Sequence, residues 1–263
     1  MIVKTVPYDD VMNDTTMRFN SHNHGDKPED YNEKSLQVYF STYKHLKKHK
    51  AIDLPVEQWM LDAYEIGVIT GKFPRNFSEE LDEYCDRNSH LNKTFDKPYF
   101  IRTEDVSLKT GCHGKKPYGN IRTIIESIVT CRFGHSVPIK TSELLKLYLI
   151  EPVSINPDLE FRVFVHNGKV TAISQQHIYM RNNTLDESSA TDIGRRIIAF
   201  ATNLDVHVSS YVMDLALVDD DFYFIELNPF GSEYGSGSAL FHWLTDNDLL
   251  YGKLDHVEMR YTV

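Results

Sequence analysis

Tyr211-Val-Met-Asp-Leu-Ala-Leu-Val-Asp-Asp-Asp-Phe-Tyr-Phe-Ile-Glu-Leu-Asn-Pro-Phe-Gly231 is the stretch whose reading decides this chain. Two β-rich runs flank the acidic turn Asp219-Asp220-Asp221, which predicts a hairpin. Asp214 lies in the first strand, and Glu226 and Asn228 end the second. Spaced by two, Glu226 and Asn228 share a strand face, and the hairpin can bring Asp214 onto it. Two carboxylates and an amide oxygen form an all-oxygen set that suits hard Mg²⁺ better than zinc. Pro229 and Gly231 then stop the strand and turn the chain over that site. The plainer alternative is an ordinary hairpin with solvated acids.

A second hairpin is clearer still. Glu160-Phe-Arg-Val-Phe-Val-His-Asn-Gly-Lys-Val-Thr-Ala-Ile-Ser174 alternates around Asn167-Gly168, a two-residue turn signal. Arg162 sits within it, on the face of Glu160. An arginine amid apolar strand residues needs a paired acid or a bound anion. A salt bridge to Glu160 or a nearby acid is one reading; a phosphate contact is the other.

Around these hairpins the pattern is mixed. Helices are predicted over Glu33 to Lys50, Pro55 to Ile69, from Glu79 to about Arg87 behind an N-cap at Ser78, over Ile121 to Cys131, and over Ala190 to Asn203. Pro98 to Arg102 reads as a strand, Leu144 to Val153 as an apolar strand or a short helix leading into one, and Thr103 to Gly119 as a glycine-containing loop bearing Lys109, Lys115 and Lys116. Gly231 to Ser238 is either a loop beside the phosphates or a linker. Asp248 to Val263 reads as a short tail without a motif.

Composition bounds the class. The 263 residues are 41% hydrophobic and 12% aromatic, with a net charge of −10, so a folded core is expected and no global attraction to nucleic acid or anionic membrane. Cys85, Cys112 and Cys131 form no CxxC pair, which argues against a disulfide framework or zinc knuckle. The first residues lack the apolar core of a secretory signal, and no run is long enough to span a bilayer, so a cytoplasmic location is expected. His22 and His24 beside Asp26 read as a solvated loop rather than a metal site, because no further ligand has fitting spacing.

The order Tyr99-Phe-Ile-Arg102, Ser107-Leu-Lys109, Glu160-Phe-Arg-Val-Phe-Val165, Ile173-Ser-Gln175, Met213-Asp214, Ile225-Glu-Leu-Asn-Pro-Phe-Gly231 and Leu240-Phe-His-Trp243 resembles the cell division cycle protein 123 clade of ATP-grasp proteins. It is also similar to a related bacterial and phage clade named for two arginines and a lysine. The resemblance spans Pro98 to Trp243. It implies an α+β ATP-grasp fold with two lobes whose antiparallel sheets enclose the nucleotide. It also implies a nucleotide-binding lobe over 96–150 and a metal and phosphate lobe over 151–263, while 1–95 reads from periodicity as a mostly helical region.

The same resemblance implies ATP and Mg²⁺ as cofactors, with Asp214, Glu226 and Asn228 as metal ligands. Arg102 takes the place of the first basic phosphate contact, and Glu151, Pro152 and Val153 that of the hinge. Arg162 and Lys109 match positions near the phosphates or the acceptor, where catalytic roles are expected, and Glu160 joins the cofactor-binding set. One departure is visible: the second nucleotide-binding lysine is replaced by Thr130, with Arg132 close by. An arginine fork does not reproduce a lysine's point charge without moving its contacts.

Three functions follow. The leading expectation is a ligase that activates a carboxylate by phosphoryl transfer for attack by an amine, on a small molecule, peptide or protein acceptor. The second is a non-catalytic ATP-binding assembly factor for translation initiation factor 2. The third is a nucleic-acid end ligase, for which Lys109, Lys115, Lys116 and Arg122 would supply a local track.

Overall fold

The structure is a computed structural model describing residues 1–26, 49–103, 106–131, 139, 141 and 143–263. Arg132 and most of the expected Glu33–Lys50 helix lie outside the described residues. Contacts group the chain into two units: Met1–Leu46 with Ser154–Val263, and Lys47–Val153. Met1–Leu46 and Ser154–Val263 therefore share one unit.

The first unit is built on a six-stranded sheet. Its strands are β1 (Ile2–Val6), β5 (Glu160–His166), β6 (Lys169–Gln175), β7 (Tyr211–Val218), β8 (Asp221–Asn228) and β9 (Glu258–Thr262), in the order β1-β9-β6-β5-β7-β8. Both expected hairpins are present as antiparallel pairs, β5–β6 and β7–β8. Their turns explain why. Asn167 and Gly168 have φ of 49° and 73°, and Asp219 and Asp220 have 48° and 65°, the two positive values that a tight turn matched to strand twist requires. Asp221 opens β8 rather than belonging to the turn.

Two expectations are corrected here. The residues after Asp248 are not a tail: β9 is an interior strand, parallel to both β1 and β6. Among the described residues of 1–95, the helices are joined by β1 and by β2 (His49–Pro55). His49 and Lys50, expected to end a helix, open β2 instead.

Strand alternation gives the sheet two unlike faces. Val3, Met259, Ile173, Val163, Met213 and Leu227 form one continuous cross-strand row. This apolar face is served by the helix Glu187–Thr202, which buries Ala190, Ile193, Ile197 and Ala201. Asp186 starts that helix with a reciprocal capping pair to Ser189, satisfying N–H groups left over in the first turn. The neighbouring row on the opposite face is Lys4, Arg260, Ser174, Arg162, Asp214 and Glu226. Phe164, Ala172 and Val212, two positions along and on that same face, pack against Phe241, Trp243, Leu249 and Leu250.

The second unit has a three-stranded antiparallel sheet, β2-β4-β3, with β3 at Phe100–Arg102 and β4 at Leu144–Ile150. Helices Gln58–Thr70, Phe77–Arg87 and Ile121–Thr130 share its apolar core, which includes Leu54, Met60, Leu81, Ile125, Leu147 and Leu149. Asn120 caps the last of these by accepting from the Thr123 N–H. The α+β class and the antiparallel pairings expected from the sequence are both present.

Candidate functional site

Arg162 and Asp214 are register partners on β5 and β7. Arg162 Nε donates to Asp214 Oδ1 at 2.8 Å and Nη2 to Oδ2 at 2.7 Å, the two-bond fork that suits guanidinium and carboxylate. Nη1 donates to the Gly237 carbonyl at 2.7 Å. Asn228 Nδ2 donates to Asp214 Oδ2 at 3.3 Å. The paired side chains are 12% and 4% exposed, so both charges are largely out of water. The salt-bridge reading of Arg162 thus holds, with Asp214 rather than Glu160 as partner.

Burial opposes both charges: it acts to lower the pKa of Arg162 and pushes the Asp214 carboxyl upward. Asp214, with smaller contributions from Glu226 and Glu160, nonetheless holds the guanidinium above its ordinary value. The paired hydrogen bonds are those of an ionised pair.

Glu226 is the register partner of Asp214 on the other side. A bulge follows at once, so that Leu215 pairs with Phe224 and Ile225 is the extra residue. Such a bulge re-aims the side chains next to it. It places Asp214, Glu226 and Asn228 on one face at the end of the hairpin, as the spacing predicts. Glu160 also lies on that face, and its Oε2 is 2.9 Å from His177 Nε2.

The donor chemistry fits a hard divalent ion. A carboxylate offers about four lone-pair positions, and Asp214 uses three, leaving one on Oδ1. Glu226 is half-buried, and the Asn228 carbonyl is an oxygen donor beside it. Among the described residues no group of three or more His, Cys, Asp or Glu is arranged to hold a metal. An ion here would need the Asn228 oxygen and further oxygens from water or phosphate, a coordination typical of Mg²⁺.

The remaining expected residues belong to the second unit. Arg102 is buried in β3, where Nε donates to the Thr103 carbonyl at 3.2 Å. Lys109 is exposed on the single 3-10 turn Leu108–Thr110. Glu151, Pro152 and Val153 are exposed after β4, with Lys97 Nζ 2.7 Å from Glu151. Thr130 carries no charge to replace a lysine, and its hydroxyl accepts from the Cys112 N–H.

Sequence reasoning missed several neighbours. A cavity of about 330 Å³ beside Arg162 is lined by Asn20, His22, His177, Tyr179 and Gly237, among others. His177 follows the Ile173-Ser-Gln175 motif closely, so the motif marked its neighbourhood without naming it. Asn20 and His22 carry no such signal. The tract Gly231–Ser238 is no linker: Ser236 and Ser238 are buried, and Gly237 holds Arg162.

The D123 family profile matches residues 132–262, which include every residue of this fork and its acidic neighbours. The chain is 30% identical over 124 residues to a Candida albicans protein named translation initiation factor eIF2 assembly protein, covering 44% of this chain. It spans 34% of the length of that relative. In fold, the chain resembles C-terminally truncated Cdc123 from Schizosaccharomyces pombe, at a TM-score of 0.60 and 16% identity, with 99% of each chain covered. A second structure of Schizosaccharomyces pombe Cdc123 matches at a TM-score of 0.55 and 16% identity, with 98% of each chain covered.

Proposed function

We propose that this chain is an Mg²⁺–ATP-binding assembly factor for a translation initiation factor, in which bound nucleotide sets conformation. The carrying observation is the cross-strand pair Asp214–Glu226, with Asn228 on the same face and Arg162 fixed beside them, all within the residues matched to the D123 profile. Asp214, Glu226 and Asn228 would hold Mg²⁺, which supplies charge neutralisation for a triphosphate. Arg162 orients Asp214 and keeps two N–H bonds beyond those already made, enough for an anionic oxygen. The partner class rests on the name of the Candida albicans relative, and that partner makes the cytosol the place of action. The likeness of motifs to ATP-grasp proteins supports ATP as the nucleotide.

The test is calorimetric titration with Mg²⁺–ATP, followed by incubation with labelled ATP and purified translation initiation factor 2. Binding of both without steady turnover supports the assembly reading. Release of ADP and phosphate only when a carboxylate and an amine are supplied would replace it with the ligase. AMP formation with an oligonucleotide would replace it with end joining.

A further inference from the structure

Arg162 is held by two acceptors, and the second comes from an unexpected place. The Gly237 carbonyl is presented by the segment Ser232–Ser238, which is zipped along residues 20–24. Asn23 N–H donates to the Tyr234 carbonyl at 3.0 Å, His24 N–H to Ser232 at 2.7 Å and Asn20 N–H to Ala239 at 2.7 Å. In return Ser238 N–H donates to the Ser21 carbonyl at 3.1 Å. Ser21 is buried, its hydroxyl 3.1 Å from that of Ser238 and accepting the Trp243 N–H at 2.7 Å.

The fit at Gly237 is specific. A Cβ there would collide with the Asn20 amide oxygen and stand 3.5 Å from Arg162 Nη1. Asn20 therefore fills the space that any larger residue at 237 would need. Its own φ of 50° is one that asparagine tolerates better than most residues. Residues 20–24 lie outside the 132–262 matched to the D123 profile, so this contact set comes from a distant part of the chain.

We propose that Asn20–His24 is a positioning strap for Arg162. By seating Gly237, the strap fixes the third edge of the guanidinium and so the angle at which the fork meets Asp214. Without that acceptor a largely buried Nη1–H loses its partner, and the guanidinium turns toward other acids. The Asp214 carboxylate then loses its set orientation. The use of the fork for Mg²⁺–ATP rests on the function proposed above; the strap's effect on the fork does not.

Solvent exchange of the Arg162 Nε–H, followed by NMR and assigned by its loss in Arg162→Lys, reads the fork directly. Gly237→Ala should speed that exchange at least tenfold at pH 7.5. Asn20→Gly in the same chain, which removes the colliding amide, should return it to within threefold of the starting protein. Ser21→Ala is the second probe, with an expected rise of at least threefold that Ser21→Thr reverses. The strap is overturned if Gly237→Ala leaves exchange within threefold, if Asn20→Gly gives no recovery, if Ser21→Ala has no effect, or if the unaltered Nε–H already exchanges too fast to observe. Titration of the unaltered protein with Mg²⁺–ATP is read separately. No binding there ends the nucleotide reading and leaves the exchange rates to decide the strap.

Discussion

Arg162 and Asp214 face each other across β5 and β7 and close a fork of 2.8 and 2.7 Å inside a polar row that crosses all six strands. Both charges sit with little water around them. Their energetics follow from that burial.

Removing one partner strands the other charge. Arg162→Met or Asp214→Leu alone should cost about 3–5 kcal/mol in urea unfolding, the usual range for breaking a buried pair. The double replacement Arg162→Met/Asp214→Leu should cost clearly less than the sum, because neither charge is left uncompensated. Strict additivity would show that the fork carries no coupling.

Glu226→Gln separates binding from folding. It removes a carboxylate facing Asp214, so the urea midpoint should stay level or rise, since like charges directly opposite are unfavourable. Mg²⁺–ATP affinity should fall at least tenfold by calorimetry, while the weaker affinity for metal-free ATP changes little. Equal loss in both titrations would place the metal elsewhere.

His24 provides a pH dependence. Its ring is 5.2 Å from that of His242, and its Nε2 is buried without a hydrogen-bond partner among the described residues. Burial, then His242 and His22, lower its pKa below the ordinary value near 6.5. The unfolded chain therefore takes up this proton first, so His24's contribution to stability is complete above about pH 6.5 and declines as pH falls below it. His24→Leu should flatten the loss of stability between pH 7.5 and 5 in parallel urea titrations. An unchanged slope would refute the assignment.

The acidic turn can be improved. Asp219 and Asp220 both have positive φ, for which Asn-Gly is the better pair. Asp220→Gly should raise stability by a few tenths to about 1 kcal/mol, measured as the shift in unfolding midpoint, since it relieves left-handed strain and keeps the carbonyl that accepts from Arg196.

Local signals carried the sequence reading as far as they reach. Asn167-Gly168 and the acidic turn fix two hairpins by short-range geometry, and period-two alternation puts Glu226 and Asn228 on one face. Arg162 was legible as a buried charge needing a partner, but register chose Asp214 over Glu160, and register needs the third strand. β1 and β9 escaped notice because parallel pairing between distant segments leaves no turn between them, and each strand is only 5 residues long. Gly237 and Asn20 escaped for a similar reason: their relation is a steric fit between remote loops, with no spacing to betray it.

The interior place of β9 has a consequence for biosynthesis. Among the described residues β1 pairs with the sheet through β9, so its edge has no strand partner there until residues 258–262 have been made. During translation Ile2–Val6 waits with an unsatisfied edge, and the whole second unit emerges before it is covered. A ribosome stalled before Glu258 should display that edge to chaperones, and release of β9 is the event that retires it.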